Sequence, residues 1–302
     1  MASEHHIPVL RDEVLEFLAI KPAGTYLDCT FGRGGHARAL LGRLGPKGRL
    51  LAVDRDPAAA AASSDLVDPR FQFRHVRFSS AAAVIDELGL RGKLDGVLLD
   101  FGVSSPQLDD QTRGFSFQAE GPLDMRMDSS TGESAAEWLA RASQAELERC
   151  LFEYGEERHA RRIARRICAE RVQSPLVTTT QLAALVASAV PRSSERIHPA
   201  TRTFQAVRIQ VNEELQEIAS ALPRLADVLA PGGRLCAISF HSLEDRIVKR
   251  YFRDRARPPE IEDPDTPRYA VLTRKPVGPS DAECAANPRS RSARLRVLER
   301  VS

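Results

Sequence analysis

The sequence predicts an α/β fold, a doubly wound and mostly parallel sheet with an inserted helical domain. Three observations carry that reading. Five short apolar runs, each preceded by turn residues, alternate with helical patterns. Two of them, Leu94–Asp100 and Gly232–Ser239, are nearly continuous in apolar residues, as strands covered on both faces are. Between Val103 and Pro199 the strand pattern disappears while helical patterns continue.

In chain order, the first run is Tyr26–Cys29, after the turn at Pro22-Ala23-Gly24. The loop Thr30-Phe31-Gly32-Arg33-Gly34-Gly35-His36 follows, and its glycines let bare backbone approach a ligand. Helical pattern resumes at Ala37-Arg38-Ala39-Leu40-Leu41. The second run, Leu50–Asp54, ends on an acid 22 residues after Gly32. A glycine loop on the nucleoside and a carboxylate on the ribose hydroxyls is the layout of a βαβ nucleoside site. Two cofactor classes share it. Read from Gly32, the loop is G-x-G-x-x-A, which fits the relaxed dinucleotide pattern of a nicotinamide enzyme. Asp28 points the other way, because an acid inside the first strand is a feature of S-adenosylmethionine (AdoMet) methyltransferases.

Phe71–Val76, Gly96–Asp100 and Arg234–Ser239 complete the five strands, and Tyr269–Lys275 with Ala293–Val301 read as a terminal antiparallel pair. After strand four comes a long polar loop, Ser104–Ser134, of a length that suggests function. Helices are then expected at Ser134–Ala142, Gln144–Tyr154, Glu157–Val172 and Thr180–Val190, with Ser134 and Thr180 as caps, and a further helix at Phe204–Leu229. The expected domains are 1–108 with 200–302 for the cofactor and 109–199 for the insertion.

Composition bounds the rest. The 302 residues are 42% hydrophobic and 28% charged, with a formal net charge of +2, which fits a globular chain and neither demands nor excludes nucleic acid. No apolar run approaches the ~18 residues of a membrane span, so none is expected, and the N-terminus lacks a signal pattern, while the dispersed cysteines fit the buried thiols of a cytoplasmic protein. The five cysteines are scattered without C-x-x-C spacing, which excludes a disulfide framework and leaves no expected metal site. His5-His6 reads as a solvated terminus.

Ligands of open α/β sheets bind beyond the carboxyl ends of the strands. Asp54, Phe78, Asp100 and His241 all fall there. Phe78 is placed either against an adenine or in the core. Asp100 ends strand four beside the unusual loop. Ser242 with Asp245 resembles a capping box, and His241 is a candidate substrate contact. Arg158, Arg161, Arg162, Arg165 and Arg166 share one helical face with no compensating acid, opposite Ala160, Ile163, Ala164 and Ile167. Such a face is either ordinary solvated surface or a nucleic-acid contact. Arg289, Arg291, Arg294, Arg296 and Arg300 form a second basic cluster.

Longer motifs now carry a resemblance. Thr30 through His36, Asp100 through Asp110 (DFGVSSPQLDD), Arg113 through Phe117, Gly121 through Met127, His198 through Ala206 and Ser239 through Arg246 resemble the bacterial ribosomal RNA small-subunit methyltransferase H (MraW) family, from His6 to Ser290. The resemblance implies AdoMet-dependent methylation of the exocyclic N4 amine of a cytidine in small-subunit ribosomal RNA, at the decoding centre. It implies that Gly34, Gly35, His36, Asp54, Phe78, Asp100 and Gln107 contact AdoMet. The partner it implies is ribosomal RNA, within the ribosomal subunit. No catalytic residue follows from it. The Pro-Pro-Tyr-type loop of many amino-methyltransferases is replaced here by Phe101-Gly102-Val103-Ser104-Ser105-Pro106, which leaves Asp100, Ser104 and Ser105 as local candidates. The oligomeric state stays open.

Overall fold

A computed structural model describes residues 8–191, 197–257 and 266–302. His5-His6 lies outside the described residues. The chain divides into two compact units, Met1–Gly102 with Leu215–Ser302, and Val103–Glu214.

The first unit begins with α1 (Arg11–Leu18), β1 (Thr25–Asp28), α2 (Gly35–Leu41), β2 (Arg49–Asp54), α3 (Pro57–Ser63), β3 (Phe71–His75), α4 (Ala81–Glu87) and β4 (Leu94–Asp100). The second unit holds α5 (Ser105–Asp109), α6 (Ala135–Arg141), α7 (Gln144–Gly155), α8 (Ala160–Gln173), α9 (Thr179–Ala189) and α10 (Thr201–Asn212). The first unit then resumes with α11 (Glu214–Ala226), β5 (Leu229–Ser239), α12 (Ser242–Arg255), β6 (Tyr269–Val271), α13 (Asp281–Ala286) and β7 (Arg294–Arg300).

The seven strands form one sheet in the order β3-β2-β1-β4-β5-β7-β6. The first five are mutually parallel, and β7 runs antiparallel to both β5 and β6. The expected doubly wound sheet with an antiparallel terminal pair is therefore present. Its apolar strands bury both faces because consecutive side chains alternate across the pleat. Val97 and Leu99 join Leu27, Leu51, Leu222 and Phe252 in one layer, while Leu98 joins Leu10, Val14, Leu40 and Leu50 in the other. Each fully buried aliphatic side chain contributes about 1.5–3 kcal/mol. The sheet order reverses between β1 and β4, so their carboxyl ends splay into a crevice.

The second unit has its own core, built from Trp138, Leu147, Leu151, Ile163, Ile167, Val186, Phe204 and Val207 among others. Its helices start where the sequence supplies reciprocal caps: Ser134 with Glu137, Ser143 with Glu146, and Thr178 with Gln181. The cap of α9 is thus Thr178 rather than the expected Thr180, because Gln181 stands at the right spacing to close the box.

Two further expectations shift. The single helix Phe204–Leu229 is two helices, broken at Glu213, whose φ of 54° cannot continue a helix. α10 buries Phe204, Ala206 and Val207 in the helical core. The compact units therefore divide at Gly102/Val103 and Glu214/Leu215 instead of at residues 108/109 and 199/200. The long polar loop is also less irregular than expected. It contains α5, and its Phe115, Leu123, Met125 and Met127 are buried in the helical core.

Candidate active site

The crevice is floored by the loop after β1, and hydrogen bonds tie that loop to both neighbouring strands. The N–H of Cys29 donates to the Leu98 carbonyl at 2.9 Å, and that of Phe31 to the Val53 carbonyl at 3.2 Å. Thr30 N–H donates to Asp28 Oδ1 at 3.0 Å, and Thr30 Oγ1 accepts from the Asp100 N–H at 2.8 Å. Gly32 N–H donates to Asp54 Oδ2 at 2.8 Å, while Asp54 Oδ1 accepts from Asp56 N–H at 2.8 Å. Gly32 and Gly34 have φ of 55° and 76°, left-handed values that most side chains avoid. A Cβ on Gly32 would meet no protein atom within 4 Å, so the loop leaves open space above it.

Three polar atoms in this region are buried without a hydrogen-bond partner: Asp28 Oδ2, His36 Nε2 and Asp100 Oδ1. His36, in the first turn of α2, is 6% exposed, and its Nε2 lies 3.6 Å from Asp100 Oδ2. Asp28 is fully buried, and burial pushes its carboxyl up to about 6, against the downward pull of His36 and the Thr30 N–H. Burial also raises Asp54 above the usual carboxylate range, although the backbone N–H groups of Asp56, Gly32 and Arg55 oppose the shift. Buried orphan acceptors cost stability, so a cluster of them beside open space marks a place built for a ligand rather than for the apo fold. The set suits a ligand bearing a cationic head and donating hydroxyls. The carboxylate of Asp54 has about four lone-pair sites against its three backbone donors, which leaves it able to accept from a ligand hydroxyl.

The predicted residues are distributed as follows. Gly34, Gly35 and His36 open α2, Asp54 ends β2 and Asp100 ends β4, all on the carboxyl side of the sheet. Phe78 follows β3 half-buried, with its ring centroid 6.0 Å from that of Phe101, next after Asp100. Gln107 falls in the other unit, where its Oε1 accepts from the Ser104 N–H at 2.7 Å. Thr30 is the structural residue that sequence reasoning passed over. Its hydroxyl, two residues beyond a strand-end acid, was the available signal.

Elsewhere the structure corrects three readings. The N-cap of α12 is His241, not Ser242, and it pairs with Glu244 rather than Asp245. Asp245 instead takes Arg296 at 2.6 Å and Arg294 at 3.4 Å, and Arg296 is 6% exposed. Within the C-terminal basic cluster, Arg296 therefore belongs to a buried ion pair rather than to free surface. On α8, Arg161, Arg162, Arg165 and Arg166 are exposed as expected, but Glu170 lies 3.3 Å from Arg166, so the face is not free of acid.

A model of the MraW methylase family matches residues 3–301. The chain belongs to the MraW methylase family. It is 54% identical over 307 residues to the ribosomal RNA small subunit methyltransferase H of Azoarcus sp. (strain BH72), covering 99% of this chain and 98% of that one. It is 55% identical over 296 residues to the protein of the same name from Methylococcus capsulatus (strain ATCC 33009 / NCIMB 11132 / Bath), covering 95% and 98%. The chemistry of a MraW methylase is AdoMet-dependent methyl transfer, and the orphaned acceptors, His36 and the open glycine loop fit that cofactor. Among the described residues no helix is long and apolar enough to cross a membrane.

Proposed function

We propose that the protein transfers the methyl group of AdoMet to the exocyclic N4 amine of a cytidine in small-subunit ribosomal RNA, at the decoding centre. The observation that carries the methyl-transfer part is the convergence of Asp28, His36, Asp54 and Asp100 around the open glycine loop at the sheet reversal. The identity of the relatives, near 54% over almost full length, supports the RNA target.

Asp54 would hold the ribose hydroxyls, with Gly34 and Gly35 giving backbone access. Phe78 would lie against the adenine. Asp100 and His36 would hold the amino-acid tail, and Gln107 would add a contact there. Bound AdoMet would supply an activated methyl on a sulfonium leaving group. The protein's own task is then to align the amine, exclude water and offer an acceptor to the amine protons. Positioning of that kind can be worth about 7–11 kcal/mol. Ser104 and Ser105 are candidates for the acceptor, and no proton-abstracting residue is assigned. The target cytidine has to be unstacked to enter such a site. The helical unit Val103–Glu214 would recognise the RNA, with the exposed arginines of α8 on phosphates.

The test is labelled methyl transfer from AdoMet into small ribosomal subunits and into free RNA, followed by mapping of the modified base. Label on the N4 amine of one cytidine supports the reading. Absence of label from RNA in both substrates overturns it.

A further inference from the structure

His241 is placed as its residue type alone does not explain. It follows β5 and caps α12, with its Nδ1 accepting from the Glu244 N–H at 3.4 Å. N-caps are served best by Asn, Asp, Ser and Thr. Ser242 stands next in the chain, yet the cap is His241. Capping thus gives no reason for an imidazole.

Because Nδ1 accepts, the neutral ring carries its proton on Nε2. That Nε2 is buried and has no hydrogen-bond partner. Glu244 Oε1 lies 3.2 Å from it but out of line for a hydrogen bond. The turn that holds the ring is fixed, since Glu244 Oε2 accepts from the N–H groups of Phe240 at 2.8 Å and His241 at 3.2 Å. The imidazole keeps a small exposed edge, 12% of its side chain. The same turn packs beside the exit of β4. Asp100 pairs with Ile238, Phe101 N–H donates to the Ile238 carbonyl at 3.0 Å, and Phe240 comes within 3.8 Å of where a Cβ on Gly102 would stand. A fixed, orphaned N–H donor therefore lies on the strand end next to Asp100.

We propose that His241 donates its Nε2–H to the 2-carbonyl of the acceptor pyrimidine and so sets the orientation and identity of the methylated base. The assignment rests on the cytidine reading above. A donor to that carbonyl separates cytosine from adenine, whose ring also bears an exocyclic amine but has no carbonyl. No proton changes hands, because Nδ1 is engaged by the backbone and Nε2 already carries its hydrogen.

Two variants test it. His241→Asn keeps a favoured cap and removes the donor at imidazole reach. His241→Gln is a poorer cap but carries an amide N–H out to the Nε2 position. Thermal unfolding, AdoMet titration by calorimetry and single-turnover transfer into small subunits are measured for each. The expected result is an Asn variant that unfolds and binds AdoMet like wild type but transfers about tenfold slower or worse, the worth of one carbonyl acceptor left unpaired. The Gln variant is expected to be less stable yet faster than the Asn variant. A wild-type rate for Asn, the opposite order of the two rates, or a loss matched by lost AdoMet affinity overturns the assignment. Mapping the wild-type product separates the two readings. A purine product sinks both, whereas a cytidine product with a wild-type Asn rate sinks only the role of His241.

Discussion

The main-chain N–H of Gly32 donates to Oδ2 of Asp54 across 2.8 Å, which joins the glycine loop of β1 to the acid that ends β2. One carboxylate thus fixes the loop and offers its remaining lone pairs to a ligand. Removing it loosens both. Asp54→Ala is expected to weaken AdoMet by about 1.5–3 kcal/mol, the range for hydrogen bonds to a charged group. Isothermal titration calorimetry reads this directly, with NAD as the comparison ligand. Tight binding of NAD and none of AdoMet would contradict the site.

Asp28 is held in the fold at a cost. Its carboxyl is raised from 3.8 to about 6, chiefly by burial. An acid raised in the folded state binds its proton more tightly there than in the unfolded chain, so its contribution is intact below about pH 4 and is lost as pH rises through about 6. The difference amounts to about 3 kcal/mol at neutral pH. Asp28→Asn keeps an acceptor for the Thr30 N–H and removes the buried charge. The cofactor-free variant is expected to be about 2–3 kcal/mol more stable than wild type at pH 7.5 and equal to it near pH 4. AdoMet binding should weaken in the same variant. Thermal unfolding against pH, beside calorimetry, checks both halves, and a gain independent of pH would assign the effect to something other than the carboxylate.

The arginines at α8 give an electrostatic prediction, although Arg158 stands just before the helix, which begins at Ala160 rather than at the expected Glu157. Arg158, Arg162 and Arg165 are exposed. Replacing all three with Gln is expected to weaken RNA binding and flatten its dependence on salt by about one slope unit per lost phosphate contact. AdoMet affinity should not move. Binding curves at several salt concentrations decide it, because a solvated face would leave the slope unchanged.

Asn212 holds the helical unit together at one point. It is 1% exposed, its Oδ1 accepts from Met127 N–H at 2.7 Å, and its Nδ2 donates to the carbonyls of Met125 at 2.7 Å and Arg208 at 2.9 Å. Met125 takes a φ of 60°, a conformation this clamp secures. Asn212→Ala leaves buried backbone groups unpaired and is expected to cost about 2–4 kcal/mol in denaturant unfolding. Asn212→Asp, which retains one acceptor but no donor, should recover only part of that.

The sequence by itself determined the sheet and the edge of it on which the candidate site residues stand. Apolar runs with turns between them had to become covered strands, and the acids at their ends had to lie on one edge, because parallel strands bring all their carboxyl ends to the same side. That is why the positions of Asp54 and Asp100 at strand ends were legible from sequence, and why Asp28 inside the first strand spoke for AdoMet over a dinucleotide. The signals were local and repeated every few residues. What only the tertiary structure decided depends on partners distant in the chain. The buried clamp of Asn212 on residues 85 and 87 positions away left no trace in local pattern. Nor did the pairing of Arg296 with Asp245, which turned an apparent basic surface into an internal ion pair. The break between α10 and α11 at Glu213 and the choice of His241 over Ser242 as a cap were likewise invisible, since both residues fit a helix by type. In each case several local conformations are close in energy, and long-range packing and hydrogen bonding select one of them.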